Sequence, residues 1–253
     1  MTDKVLIERR GAANVITINR HQARNAVDPE TAEALKAAFL DGEADDGVAV
    51  HILTGAGGAF CAGADLKAVA AQGGFAREAP MGPSWLELEK PSIAAVEGHA
   101  VAGGLELSLI CDLRVAGRSA VFGVFCRRWG VPLIDGGTVR LPRLIGQSRA
   151  MDMILTGRPV GAEEAVSFGL ANRVVEDGEA LTEALRIAEQ LAAFPQACMR
   201  NDRASAMRQW GLDMQSALAF EAEIGRDSLR AGAAEGAARF AEGKGRGGDF
   251  GDI

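Results

Sequence analysis

The chain has only four cysteines, Cys61, Cys111, Cys126 and Cys198, widely spaced, with no Cys-x-x-Cys pair and no Cys/His cluster. Without those patterns, reduced thiols in a cytosolic protein are the simplest account, and neither a disulfide framework nor a metal site is expected. The three histidines, His21, His51 and His99, are equally scattered. No apolar run approaches the roughly 18 residues expected of a membrane span. The opening Met1-Thr2-Asp3-Lys4-Val5 has no basic stretch followed by an apolar core, so a cytoplasmic protein without a membrane partner is expected. Basic residues are in deficit, 27 Lys and Arg against 34 Asp and Glu, for a formal net charge of -7. That balance argues against nucleic acid, whose binders carry basic patches, while leaving room for a local basic site for an anionic ligand.

What is present is ordinary globular material: 253 residues, 48% of them hydrophobic, enough to bury a sizeable core in one large or two smaller domains. The N-terminal half alternates strand and helix signals. Val5 to Glu8 and Val15 to Asn19 read as paired strands around Gly11-Ala12-Ala13-Asn14, and Asp28-Pro29-Glu30 caps and opens a helix to about Leu40. Further strands are expected at Val48 to Thr54, Ser92 to Glu97, Leu113 to Ala116 and Ala120 to Gly123. From Thr138 the apolar spacing turns helical, in Ser148 to Leu155, Ala162 to Phe168, Glu179 to Phe194, Ala197 to Trp210 and about Leu212 to Glu242. Ala70 to Pro83, rich in Ala, Gly and Pro, and the glycine-rich stretch from Gly243 to Gly251 read as mobile segments.

Two glycine-bearing stretches carry the chemistry: Phe60-Cys61-Ala62-Gly63-Ala64-Asp65-Leu66-Lys67 and Gly98-His99-Ala100-Val101-Ala102-Gly103-Gly104-Leu105-Glu106-Leu107. Each follows an apolar run and opens a helical one, so each offers an unpaired backbone N–H at a strand-to-helix turn. Two such donors aimed at one point make an oxyanion hole, which would polarise a thioester carbonyl and acidify the neighbouring C–H. Glu106, one helical turn past Gly103, is placed to act as a base. The plainer alternatives are a tight turn capped by Asp65 and a capped or surface carboxylate at Glu106.

These stretches, together with Ile18-Asn19-Arg20, Arg24-Asn25-Ala26, Phe122-Gly123, Gly136-Gly137-Thr138, Arg140-Leu141-Pro142 and Leu155-Thr156-Gly157-Arg158, resemble the crotonase superfamily, the enoyl-CoA hydratase/isomerase family, in the family's order. The resemblance implies an α/β fold, a spiral of repeated ββα units whose two sheets pack nearly at right angles. It places that core and the acyl-CoA site in residues 1–195, and a helical trimerisation region with a mobile tail in residues 196–253. It further implies a homotrimer or dimer of trimers, and a coenzyme A thioester as substrate with no separate cofactor. The backbone N–H groups of Ala64 and Gly103 would hold the thioester oxygen. Ala26 and Ala62 would border the substrate, with Asp65, Leu66 and Lys67 along the pantetheine and adenine path and Arg24 near the phosphates.

In the familiar hydratases two glutamates move the protons. Glu106 matches the first, but Cys126 stands where the second falls, in Phe122-Gly123-Val124-Phe125-Cys126-Arg127-Arg128. A thiol does not replace a carboxylate, since its ordinary pKa is about 8.5 against about 4.3; Arg127 and Arg128 beside it would lower that value. Leu133-Ile134-Asp135-Gly136-Gly137-Thr138 supplies a carboxylate in the loop that lines the acyl pocket of family members, so Asp135 is the candidate second acid/base, with a plain turn residue as the alternative. Cys126 and His99 read as packing neighbours, and Arg127 and Arg128 as either solvated or ligand-binding. Phe75 and Trp85 flank the variable stretch that would border the acyl group. The first expectation is a hydro-lyase. An isomerase, a thioester hydrolase, a decarboxylase and a non-catalytic acyl-CoA-binding protein are the alternatives.

Overall fold

The computed structural model describes residues 3–74, 80–248 and 250. Part of the 70–83 segment, Phe75 within it, and the end of the glycine-rich tail lie outside the described residues. In chain order the strands and α-helices are β1 (Val5–Arg10), β2 (Ala13–Ile18), α1 (Pro29–Ala44), β3 (Val50–Gly55), α2 (Leu66–Ala71), β4 (Ser92–Val96), β5 (His99–Val101) and α3 (Gly103–Ile110). There follow β6 (Leu113–Gly117), β7 (Val121–Gly123), α4 (Gly137–Ile145), α5 (Gln147–Thr156), β8 (Val160–Gly161), α6 (Ala162–Phe168), β9 (Arg173–Val175), α7 (Ala180–Ala193), α8 (Gln196–Arg208), α9 (Met214–Ser228) and α10 (Ala234–Ala241). Asp28 caps α1 by accepting from the Thr31 N–H, with Pro29 at the first helical position.

The larger sheet runs β1-β2-β3-β4-β6-β9, antiparallel only at the β1/β2 hairpin. Its central strands β3 and β4 are buried almost throughout, as parallel strands covered on both faces must be. Alternate residues serve two cores. Ile16, Ile18, Leu53, Ala94 and Val96 face Phe39, Leu105 and Phe122; Val15, Val50, Ile52, Ile93 and Val115 face Ala184, Ile187 and Ala188 of α7.

The smaller sheet, β5-β7-β8, explains the spiral. After β3 the chain bridges at Cys61 to Ala100 and enters α2; after β4 it forms β5 and enters α3; after β6 it forms β7, a 3-10 turn at Phe125–Trp129, and α4. Each passage adds a strand to the large sheet and a short pairing to the small one, so successive strand-to-helix junctions stack beside one another. Strands β5, β8 and β9, each of three residues or fewer, were not expected from the sequence, and α9 and α10 are joined by a π-helical turn, Leu229–Ala233. Helices α8, α9 and α10 bury no residue against the rest of the chain. No helix among the described residues is long and apolar enough to cross a membrane.

Candidate active site

The stacking brings the two glycine turns into contact. Gly63 holds φ at +95°, and a Cβ there would sit 2.9 Å from both the Ala102 Cβ and the Gly103 nitrogen, so only glycine allows this approach. The chain enters α3 through Ala102, a non-glycine residue at φ 54° and ψ −126°, a conformation that costs on the order of 1–3 kcal/mol and persists where its surroundings over-determine it. Here the Ala102 N–H bonds the Gly123 carbonyl at 2.9 Å and the Val101 N–H bonds Cys61 at 3.0 Å. On the other turn, Val27 N–H to Gly63 O and Asp65 N–H to Val27 O, both 2.8 Å, bracket Ala64. Among the described residues neither the Ala64 nor the Gly103 N–H has a protein acceptor, and both residues line one cavity of about 310 Å³.

Glu106 lies one turn into α3, 2% exposed. Its Oε1 accepts from the Asp135 N–H at 2.9 Å and the Gly137 N–H at 2.8 Å, while Oε2 has no protein donor among the described residues. Gly137 has to be small: a Cβ there would lie 2.9 Å from Glu106 Cγ and Oε1. Burial pushes the Glu106 carboxyl up to about 7, with nearby Asp135 adding to the rise and the two backbone donors and Arg140 opposing it.

Asp135 is equally buried, and its Oδ1 accepts from the Met81 N–H at 3.1 Å and from the Ser84 hydroxyl. Burial raises its pKa against the pull of Ser84, Met81 and Arg140. Arg140 stands behind it, donating to the Asp135 carbonyl at 3.0 Å and the Ser84 carbonyl at 2.7 Å. Cys126 also lines the cavity. The expectation that neighbouring arginines lower its pKa is corrected: burial raises it, the charge of Glu106 adds to the rise, and Arg127 only partly opposes. Arg127 is turned to the Ile154 carbonyl at 3.0 Å, and Arg128 stacks on Phe125 and Trp129.

Of the residues singled out from the sequence, Arg24, Ala62, Ala64, Leu66, Gly103, Glu106 and Asp135 converge on this cavity, with His99 beside them. Ala26, Asp65 and Lys67 are not in its lining. The Asp65 carboxylate caps α2 by accepting from Lys67 and Ala68 N–H and pairs with Arg20 at 2.9 Å. Burial alone would raise the Asp65 pKa, but Arg20 and the cap hold it below the usual carboxylate range. Arg20 also pairs with Asp28 at 3.1 Å, which ties the Ala64 turn to the start of α1. Trp85 is exposed and donates to the Ile134 carbonyl at 3.3 Å. Sequence reasoning missed Met81 and Ser84, the donors on Asp135; the Gly82-Pro83 turn between them was the one available cue.

The family model described as enoyl-CoA hydratase/isomerase matches residues 8–247. The sequence is 44% identical to the enoyl-CoA hydratase EchA19 of Mycobacterium tuberculosis over 197 residues, 74% of each chain. It is 35% identical to the short-chain-enoyl-CoA hydratase of Clostridium acetobutylicum over 228 residues, 87% of each. The crystal structure of an enoyl-CoA hydratase from Mycobacterium tuberculosis H37Rv superimposes with a TM-score of 0.89 at 38% identity, covering 94% of this chain and 96% of that one.

Proposed function

The chain belongs to the enoyl-CoA hydratase/isomerase family, and from that premise we propose that it is a hydro-lyase that adds water across the C2=C3 bond of a 2-enoyl-CoA. The observation that carries this reading is the convergence of two unpaired backbone N–H groups, Ala64 and Gly103, with a buried carboxyl whose pKa is about 7. The thioester oxygen lies between the two N–H groups, Gly103 contributing the positive end of α3. Glu106, ionised, takes a proton from water as its oxygen bonds to C3. The C2=C3 electron pair moves onto the thioester as an enolate, and a proton delivered to C2 closes the reaction. Asp135 is the second proton carrier: its Oδ1 is held by Met81 and Ser84, and burial raises its pKa against their pull. Coenzyme A arrives as part of the substrate, with Arg24 at the cavity edge as a phosphate contact.

One observation favours a second reading. Cys126, a thiol of raised pKa, stands where the familiar hydratases carry a glutamate, which suits an isomerase that shuttles a proton through Glu106 without adding water. Supplying a 2-enoyl-CoA and a 3-enoyl-CoA and identifying products by mass spectrometry separates the two: 3-hydroxyacyl-CoA from the first marks the hydratase. Conversion of the second to its 2-enoyl isomer without hydration marks the isomerase.

The assembly is a homotrimer or dimer of trimers built on residues 196–253. The reading is supported by the stretch from α8 to α10, whose helices have no fully buried residue within the chain and which exposes Met207, Trp210, Met214, Leu218 and Leu229. Light scattering coupled to size exclusion tests it.

A further inference from the structure

Two arginines, Arg24 and Arg128, line the cavity, and neither pairs with a carboxylate among the described residues. Arg9, Arg20, Arg118 and Arg158, by contrast, are each held by one. On the functional reading above, Arg24 shares its wall with Ala62, Ala64 and Leu66 and faces the coenzyme. Arg128 sits on the 3-10 turn that carries Cys126, whose thiol feels the charge of Glu106. Glu106 must reach C2 and C3, so the carbons beyond them run along this second wall.

The Arg128 guanidinium is oriented by contacts that leave its recognition edge open. Its Cζ lies 4.9 Å from the Phe125 ring centroid and 5.9 Å from that of Trp129, and its Nε donates to the Phe125 carbonyl at 3.3 Å. Both terminal nitrogens are without an acceptor among the described residues. The adjoining wall is Val131, Pro132 and Ile134. A hydrocarbon chain laid against it would strip water from the guanidinium and give no acceptor back, which is unfavourable. A planar carboxylate would take both nitrogens in the bidentate pairing for which arginine is suited.

We propose that Arg128 is a specificity-determining residue that binds a carboxylate at the far end of the acyl chain, so that the preferred substrate is the CoA thioester of an unsaturated dicarboxylic acid. The inference rests on the hydratase reading, and its test is arranged so that the two can fail separately. Matched 2-enoyl-CoAs of four to eight carbons, one of each pair ending in carboxylate and the other in methyl, are hydrated by wild type, Arg128→Leu and Arg128→Lys.

A charge-assisted pair predicts that wild type favours the carboxylate ester by about 10- to 100-fold in kcat/KM at the fitting length. Arg128→Leu brings that ratio close to one, and Arg128→Lys retains part of it. A wild-type ratio of one or less at every length, or a preference that survives in Arg128→Leu, overturns the proposal. So does an equal fall for both esters, which would assign the guanidinium to the coenzyme. If wild type hydrates no member of the series, the hydratase reading fails, and calorimetry of adipoyl-CoA against hexanoyl-CoA decides the role of Arg128. Tighter adipoyl-CoA binding that is lost in Arg128→Leu supports the proposal, and equal Kd values refute it.

Discussion

Replacing Glu106 by glutamine separates what its burial does to stability from what its ionisation does for turnover. The side chain is 2% exposed, and burial lifts its pKa from 4.5 to about 7. At about 1.36 kcal/mol per unit, a shift of that size corresponds to about 3 kcal/mol. Between these two values the folded protein holds a proton that the unfolded chain has released. The unfolding free energy therefore falls as pH rises through the window, and the loss is complete above the folded pKa.

Glutamine keeps an oxygen to accept from the Asp135 and Gly137 N–H groups and has nothing to ionise. The variant should track wild type near pH 5 and exceed it by up to about 3 kcal/mol near pH 8.5. For a chain of this size that is a gap in Tm widening by roughly 6–12 °C. Turnover should fall at least ~10²-fold over the same range. Thermal unfolding followed by circular dichroism at both pH values, with hydration measured in parallel, gives the two quantities. Stability curves that stay parallel with pH, or a variant less stable than wild type in alkali, would refute the burial argument.

Asp135→Asn preserves an acceptor for Met81 and Ser84 and should lower turnover at least ~10²-fold with acyl-CoA binding nearly intact; near-normal turnover removes Asp135 from the proton path. Gly63→Ala puts a methyl 2.9 Å from the Gly103 nitrogen, and displacing one oxyanion donor should lower kcat by ~10²–10³-fold in a folded variant. A loss of only a few-fold would count against the paired-turn assignment. Cys126→Ser should keep kcat within about three-fold, because a thiol of raised pKa stays protonated and does not act as a base. In wild type, peptide mapping after iodoacetamide treatment should find the exposed Cys198 modified well before the buried Cys126; the reverse order contradicts the thiol's assigned state.

Legibility followed locality. The α1 start was readable because Asp28 and Pro29 act within a single turn, and α6 matched its expected bounds because one amphipathic stretch runs between Gly161 and Gly169. Strands β5, β8 and β9 were not, since two or three residues carry no period, and pairing partners such as Cys61 for Ala100 make them strands. The same division runs through the site. Gly63, Gly103 and Glu106 announce themselves by spacing, whereas the donors that fix Asp135 come from Met81 and Ser84, in a stretch without pattern. Arg114 gave no sign at all: an arginine 1% exposed, it donates to the Ser108, Cys111, Asp112 and Leu170 carbonyls and so anchors the C-terminal end of the helix that carries Glu106.

Glu106 and Asp135 are held as one unit, because the Asp135 backbone N–H is itself a donor to Glu106 Oε1. Burial raises both pKa values, and the Asp135 charge raises that of Glu106 further. The Asp135 charge therefore disfavours ionisation of Glu106 beside it. On the proposed assignment the reactive form is the one with Glu106 ionised and the proton on Asp135. Ionised Glu106 gains a proton from water and Asp135 then gives one to C2, so the pair ends with the charge it began with. The negative charge of the enolate appears between these events, at the Ala64 and Gly103 donors rather than beside the carboxyls. Substitution of Cys126 by glutamate would add a third ionisable carboxyl to the pair, and its first effect should be to raise the Glu106 pKa again, moving the acid limb of the pH–rate profile to higher pH. An acid limb that stays in place would mean that Glu106 does not set it.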